Sequence, residues 1–360
     1  MEKLKVAIIG YGRSGRNIHR HLLLQLQDMY EIVAIADRDI QRQEMIKNEN
    51  SCLCLSDYTQ LFGRDDIDLV VNASFSHHHA PISMELLGNG FNVLSEKPAA
   101  GNANDFRTIM EVAREAGKDY YVFQQYRFSP SFVKIKEIID SGLLGRVVDI
   151  KLNYSGFSRR WDWQTVQDFR GGSLFNTGPH PVDQALDLLG FPDNLEVHCI
   201  MDRAHTYGDA EDYVKLILRA ENRPVVDVEI SSCNAYSDYN YLIQGTRGTI
   251  KGSTKRLDWK YYIDEDEEPR TLTLEPLRNK KGEPVYCSEK LAFHVGEWEL
   301  DKTESDDFNM KGLEFYKRLY ESIVNQTAFP ITSGQVLKQI KVIEESHRQN
   351  QKSLNKFILI

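Results

Sequence analysis

The chain has 360 residues, 41% of them hydrophobic and 27% charged, with a formal net charge of -9. That composition is ordinary for a folded protein long enough for two domains, and it excludes collagen-like, disordered and disulfide-scaffold classes. The acidic balance, spread along the chain, argues against a nucleic-acid partner, and no apolar run approaches the roughly 18 residues of a membrane span.

Met1 to Lys5 runs directly into a strand without a signal-peptide pattern, and the scattered cysteines fit reduced thiols, so a cytoplasmic protein is expected. Cys52 and Cys54 stand two apart without the second ligand pair of a structural zinc site, so no metal is expected there. Up to about residue 122, short apolar strands (6–10, 31–37, 68–74, 92–96, 119–124) alternate with helical stretches, the first helix running from Gly15 to about Gln27. Such a pattern predicts a parallel sheet covered on both faces. From about residue 145 the runs lengthen and alternate, as in YVKLILRA and PVVDVEISSC, with turn signals at 221–224 and 245–248. They predict a mixed or antiparallel sheet whose open face pairs with a copy of itself, giving a homo-oligomer. Two helices, about 308–325 and 334–350, close the chain, the second capped at Thr332-Ser333.

Gly10-Tyr11-Gly12-Arg13-Ser14-Gly15 is G-x-G-x-x-G placed between the first strand and the first helix. Gly10 permits the tight turn, Gly12 lets backbone approach a pyrophosphate, Gly15 lets helix and strand pack closely, and the helix N-terminus faces the negative charge. Tyr11, Arg13 and Ser14 complete the expected cofactor loop. Asp37 ends the second strand 22 residues after Gly15, where a carboxylate hydrogen-bonds a ribose 2'-hydroxyl and repels a 2'-phosphate, favouring NAD over NADP. Arg38 beside it either stacks on adenine or accommodates that phosphate.

Two more motifs, Glu96-Lys97-Pro98 and Gly171-Gly172-Ser173-Leu174-Phe175-Asn176-Thr177-Gly178-Pro179-His180-Pro181-Val182-Asp183, join the glycine loop. With them the chain resembles the glucose-fructose oxidoreductase / inositol dehydrogenase (Gfo/Idh/MocA) family, from Val6 through the C-terminal helix. The resemblance implies an α/β chain: an N-terminal NAD-binding Rossmann domain (1–122) and a substrate-binding, oligomerising α+β domain (123–360) with a large, mostly antiparallel open sheet. It places Glu96 and Lys97 at the nicotinamide, with Lys97 touching the reacting hydroxyl. The chemistry is independently reasonable, because oxidising an alcohol releases a proton, and a lysine takes one when burial and a neighbouring positive charge lower its pKa. The alternative is a surface lysine at a strand end.

The family pattern G-G-G-x-L-x-D-x-G-x-H-x-x-D keeps its histidine and final aspartate here as His180 and Asp183, but Asn176 replaces the first aspartate. Asparagine holds a hydroxyl yet cannot accept a proton, which moves proton transfer to His180 and Lys97. His180 could instead be a capping or buried structural residue, and Asp183 could orient the imidazole or be solvated. By the same resemblance Ser74 and Phe75 flank the nicotinamide ribose, and Phe75 stands in place of a proline. His79 follows among three consecutive histidines, a spacing that suits a structural role better than a metal. Gln125 and Arg127 match the stretch linking the domains, where side chains meet cofactor or substrate; a structural ion pair is the alternative for Arg127.

Between the domains' motifs, Tyr154 to Gln164 holds Arg159, Trp161 and Trp163 among aromatic and polar residues, a composition suited to sugar rings or, alternatively, to packing under a loop. The expected activity is NAD-dependent oxidation or reduction of a secondary hydroxyl of a carbohydrate, inositol or glycoside. The narrowest form the resemblance suggests is C3 oxidation of a glucoside to a 3-keto product. Alternatives are an NAD-dependent glycosidase working by transient oxidation and elimination, and a cofactor-binding relative without turnover.

Overall fold

A computed structural model describes residues 3–301 and 307–354, so the outermost residues of the expected ranges 1–122 and 123–360 lie outside the description. Strands β1 (Leu4–Ile9), β2 (Tyr30–Ala36), β3 (Leu53–Leu55), β4 (Leu69–Asn72), β5 (Val93–Ser95) and β6 (Tyr120–Val122) form one parallel sheet in the order β3-β2-β1-β4-β5-β6. Every residue of β4 and β5 is buried, as strands covered on both faces must be, and each fully buried Val, Leu or Ile contributes about 1.5–3 kcal/mol.

The first helical segment opens as a π-helical stretch, Gly15–Arg20, continues as α1 (His21–Leu24), and stops short of the expected Gln27. Helices α2 (Ile40–Glu49), α3 (His79–Gly88) and α4 (Ala103–Ala116) make three of the remaining crossovers, and a short 3-10 turn, Tyr58–Leu61, lies in the fourth, between β3 and β4. Because the strands are parallel, the loops that leave their carboxyl ends after Ile9, Ala36, Asn72 and Ser95 gather along one edge. That edge is where ligands bind in such sheets.

After α5 (Pro130–Asp140), strand β7 (Val147–Asn153) enters a second sheet, with helices α6 (Ser173–Asn176) and α7 (Pro179–Leu189) following it. Strands β8 (Glu196–Asp202), β9 (Tyr213–Arg219), β10 (Val225–Ser231), β11 (Tyr241–Gly245), β12 (Gly248–Gly252), β13 (Arg256–Tyr261) and β14 (His294–Glu299) complete it in the order β14-β13-β12-β11-β7-β10-β9-β8. All neighbours are antiparallel except β7 and β10. Val214, Leu216 and Leu218 of β9 point inward, onto a core shared with Phe132 of α5 and Leu186 of α7. On the outer face Lys215 pairs with Asp227 at 2.8 Å and Glu229 at 3.4 Å.

Two helices, α8 (Asp307–Asn325) and α9 (Ser333–Leu354), end the description, and Thr332 caps α9 by accepting from the Gln335 backbone at 3.3 Å. α8 returns to the first sheet: Phe315, Tyr316, Leu319 and Tyr320 join its core. The Tyr30 hydroxyl donates to the Tyr316 carbonyl at 2.7 Å. Among the described residues no helix is long and apolar enough to cross a membrane.

Candidate active site

A cleft of about 800 Å³ runs from the glycine loop to α7. Gly10 has φ +86°, and a Cβ there would lie 2.5 Å from the Ala73 carbonyl oxygen; at Gly15 a Cβ would lie 1.8 Å from the Gly10 carbonyl oxygen. The loop therefore needs glycine at both positions. At Gly12 the nearest neighbour of such a Cβ is Arg42, at 3.7 Å, which leaves its backbone open to the cleft. Arg13 and Ser14 line the cleft beside it, while Gly15 packs behind.

Tyr11 takes a different place from the one expected: its ring is buried, and its hydroxyl donates to Glu49 at 2.8 Å. Only its backbone serves the loop, through an N–H that donates to Asp37 at 2.6 Å. Asp37 also accepts from the Asp39 backbone at 2.9 Å, so two amides hold its carboxylate at the cleft. Arg38 lines the cleft but turns outward to Asp57, 2.7 Å away. Arg42, which the motif reading did not single out, lies 3.4 Å from Asp37. Its position in the first turn of α2, whose cap Asp39 accepts from the Arg42 backbone N–H, was the available signal.

At the end of β4 the buried Asn72 accepts the Ser74 hydroxyl at 2.7 Å and donates to the His79 carbonyl at 3.0 Å, fixing the loop that follows. His79 turns away from its neighbours and lies between the carbonyls of Pro98 (2.9 Å) and Ser74 (3.0 Å), whereas the His77 ring meets His78 at 3.9 Å and packs edge-on against Phe169. Phe75 meets Trp163 edge-on, ring centroids 4.8 Å apart, so this loop touches the loop of residues 154–164.

Glu96 is buried. Burial alone would raise its pKa, but the His19 imidazole, 3.2 Å away, together with Lys97 and His79 outweighs that and holds it at about 2. The carboxylate accepts the Lys97 backbone N–H at 3.1 Å. Lys97 Nζ donates to the Asn176 carbonyl at 2.7 Å. Burial is the main cause lowering the pKa of this amine, Arg13 and Arg160 add to it, and Glu96 opposes.

Asn176 ends α6 and His180 lies in the first turn of α7, so a break separates them, yet both line the cleft. The Asn176 side-chain oxygen accepts from Gln164 at 3.2 Å. His180 stacks on Tyr126, centroids 4.0 Å apart, and its buried Nδ1 has no hydrogen-bond partner among the described residues. Burial, with Lys97 and Lys311 adding, holds its pKa well below the usual imidazole range. Gln125 also lines the cleft with a buried, unpartnered Oε1. Open glycine backbone at one end and unpartnered polar atoms at the other suit a dinucleotide with a polar substrate beyond it.

Three expected substrate residues lie outside the cleft. Arg127 is buried in a bidentate pair with Asp183, at 2.8 and 2.5 Å. This also removes Asp183 from both roles considered for it, because the carboxylate faces the guanidinium. Arg159 leaves for Tyr207, donating to its hydroxyl at 2.8 Å, and the Trp161 ring is 79% exposed. Arg160, Asp162, Trp163 and Gln164 line the cleft instead, with Tyr126 and Tyr154. Replacing Arg127 by methionine should destabilise the fold by about 3–5 kcal/mol by leaving Asp183 buried and uncompensated, and a double Arg127→Met/Asp183→Leu variant should recover most of that in urea melts.

Comparison with known proteins follows the same division. Residues 4–124 match the model described as "Oxidoreductase family, NAD-binding Rossmann fold", and residues 132–251 match the "GFO/IDH/MocA C-terminal domain". An uncharacterized oxidoreductase of Schizosaccharomyces pombe is 26% identical over 98% of each chain. A scyllo-inositol 2-dehydrogenase (NADP(+)) of Bacillus subtilis is 25% identical over 96% of this chain and 93% of its own. The fold matches that of a Bordetella pertussis dehydrogenase solved with NADH and UDP-GlcNAcA, with TM-score 0.76, 20% identity, and coverage of 97% of this chain and 96% of that one. With family models matched over residues 4–124 and 132–251, the chain belongs to the GFO/IDH/MocA oxidoreductases, and its N-terminal third is their NAD-binding Rossmann domain.

Proposed function

We propose that this protein is an NAD-dependent dehydrogenase acting on a secondary hydroxyl of a sugar, inositol or glycoside, with C3 oxidation of a glucoside as its narrowest form. The observation that carries the reading is the Lys97 amine. It is partly buried, tied to one backbone carbonyl at 2.7 Å, and lies in the cleft that the glycine loop and His180 share.

NAD, when bound, supplies the hydride acceptor. Gly10, Gly12, Arg13 and Ser14 would hold its pyrophosphate, Asp37 its adenosine ribose, with Ser74, Phe75, Glu96 and Gln125 around the nicotinamide end. The chain's own work is on the proton. Burial lowers the pKa of Lys97, so this amine gives up its proton more readily than an ordinary lysine and can then take one from the substrate hydroxyl. His180 is uncharged in its buried setting, and its free Nδ1 is a second acceptor. Asn176 cannot take the proton, and its role is to hold Lys97 through its carbonyl and, with Gln164, to offer amide groups to sugar oxygens. Trp163 supplies an aromatic face for a ring's C–H surface. Asp37 favours NAD, since a 2'-phosphate would meet its carboxylate. The inositol and nucleotide-sugar ligands in the names of its relatives support the polyol class.

The test is to purify the protein, strip any bound nucleotide, and follow reduction of NAD and NADP against a panel of sugars, inositols and glycosides. Net reduction of NAD by a polyol is the expected result. Release of an aglycone without net reduction would replace the reading with a glycosidase, and cofactor binding without any turnover would make the chain a non-catalytic relative.

A further inference from the structure

α8 carries a buried ammonium for which the proton chemistry above has no use. Lys311 is 2% exposed and pairs with Asp307 at 2.5 Å, and Asp307 also accepts the Ser129 hydroxyl at 2.5 Å. Burying such a pair is costly and by itself weak evidence for a stabilising role. Its geometry points elsewhere. The ammonium lies 3.6 Å from the centroid of the Tyr126 ring. His180 stacks on the same ring at 4.0 Å with 22° between planes. Two groups this close to one centroid cannot share a face, so tyrosine is the middle layer between ammonium and imidazole.

An ammonium draws on the electron-rich face of an aromatic ring. A second cation on the opposite face would meet a ring already polarised away from it, and would feel the ammonium through a medium of low dielectric. A neutral imidazole incurs no such penalty. We propose that Lys311 is a positioning residue for the chemistry at His180: it clamps Tyr126 flat against the imidazole and keeps that imidazole an uncharged proton acceptor.

The other groups around His180 leave this role open to Lys311. On its own helix Asp183 is neutralised by Arg127 from the segment that also carries Tyr126. From the β5–α4 connection Lys97 is a second cation, which acts in the same direction as Lys311. Asn176 of α6 and Tyr154 after β7 line the same cleft without charge, and from α9 the uncharged Gln339 donates to the Pro179 carbonyl at the start of α7. Arg160, from the loop beyond Tyr154, is paired with Asp162 at 2.7 Å. Asp307 is the one anion of α8 in the arrangement, and it lies behind the ammonium.

The inference rests on the dehydrogenase reading for its purpose, but its test does not. His180 is followed by histidine NMR in the full-length protein, its signals assigned with His180→Gln. In Lys311→Met/Asp307→Asn the imidazole should take up its proton at higher pH, by about 0.5 to 1 in pH, while Lys311→Arg should titrate like the wild type. If the double variant fails to fold, Lys311→Gln, which keeps a donor for Asp307, should show the same rise. An imidazole that takes up its proton at the same pH in the variant as in the wild type overturns the proposal. Where the panel has found a substrate, the acid limb of kcat/KM should move with the NMR midpoint. Where it has found none, the NMR result stands alone, so the two failures are told apart.

Discussion

Replacing Lys97 by methionine should lower kcat by about 10²- to 10⁴-fold, the usual worth of a positioned acid or base, while NAD still binds. Methionine keeps the unbranched apolar stem, one atom shorter, but has nothing to accept a proton. Burial penalises the ammonium form of Lys97, and its hydrogen bond runs to the Asn176 backbone carbonyl. Removing the amine therefore leaves no charge unpaired, and the melting temperature should hold. The pH dependence has a definite sign. The amine is useful when neutral, and burial moves its pKa down, so oxidation by the wild type should rise with pH and level off below the ordinary lysine range. The variant's residual rate should lack that rise. NADH titration by fluorescence, steady-state kinetics across pH and a melting curve check the three parts. A variant with wild-type kcat would end the proposed role of Lys97.

The same site shows what could be read from residue order and what could not. The strand, the three glycines, the helix and Asp37 are one local constellation, and the order of the first sheet follows from it. Lys97, Asn176 and His180 reached the cleft because their motifs sit at a strand end and at helix termini, where position in sequence nearly fixes position in space. Arg127 was undecidable at that level. Its partner Asp183 is 56 residues away, and only the packing of α7 against the 125–128 turn brings the two together. Trp161 and Trp163 are two residues apart with opposite fates, because the short turn Trp163–Thr165 turns the second ring onto Phe75 while the first faces solvent. Composition of the loop cannot state that phase.

The largest gap concerned α8. Its amphipathic pattern announces a helix with one buried face, but two cores compete for that face, and nothing local says which wins. The aromatic residues Phe315, Tyr316 and Tyr320 go to the first sheet, where His19 meets the Tyr316 hydroxyl at 2.7 Å. That choice carries Lys311 to the back of Tyr126. It also links the far end of the chain to Glu96, through His19, one residue before the amine to which the proposed chemistry is assigned.

Alanine at Gly15 and at Gly12 should separate folding from cofactor binding. At Gly15 the new methyl would lie 1.8 Å from the Gly10 carbonyl oxygen and 2.9 Å from its carbon. Both are backbone atoms on the strand-to-helix turn, so the helix must move off β1, and overpacking of this kind costs about 1–3 kcal/mol or more. The melting temperature should fall, by about 1–2 °C for each kcal/mol in a chain this size, and NAD binding should fail with it. At Gly12 the methyl would meet the Arg42 guanidinium at an ordinary 3.7 Å, so the fold should melt as the wild type does. Yet that methyl projects where a pyrophosphate needs backbone N–H groups within reach, and each such charge-assisted bond is worth about 1.5–3 kcal/mol. NAD affinity should therefore drop about 10- to 100-fold with no loss of stability. Calorimetric titration beside a thermal melt reads both quantities on the same samples. If Gly12→Ala binds NAD as tightly as the wild type, the phosphates do not rest on this loop, and the placement of the nicotinamide beside Lys97 loses its anchor.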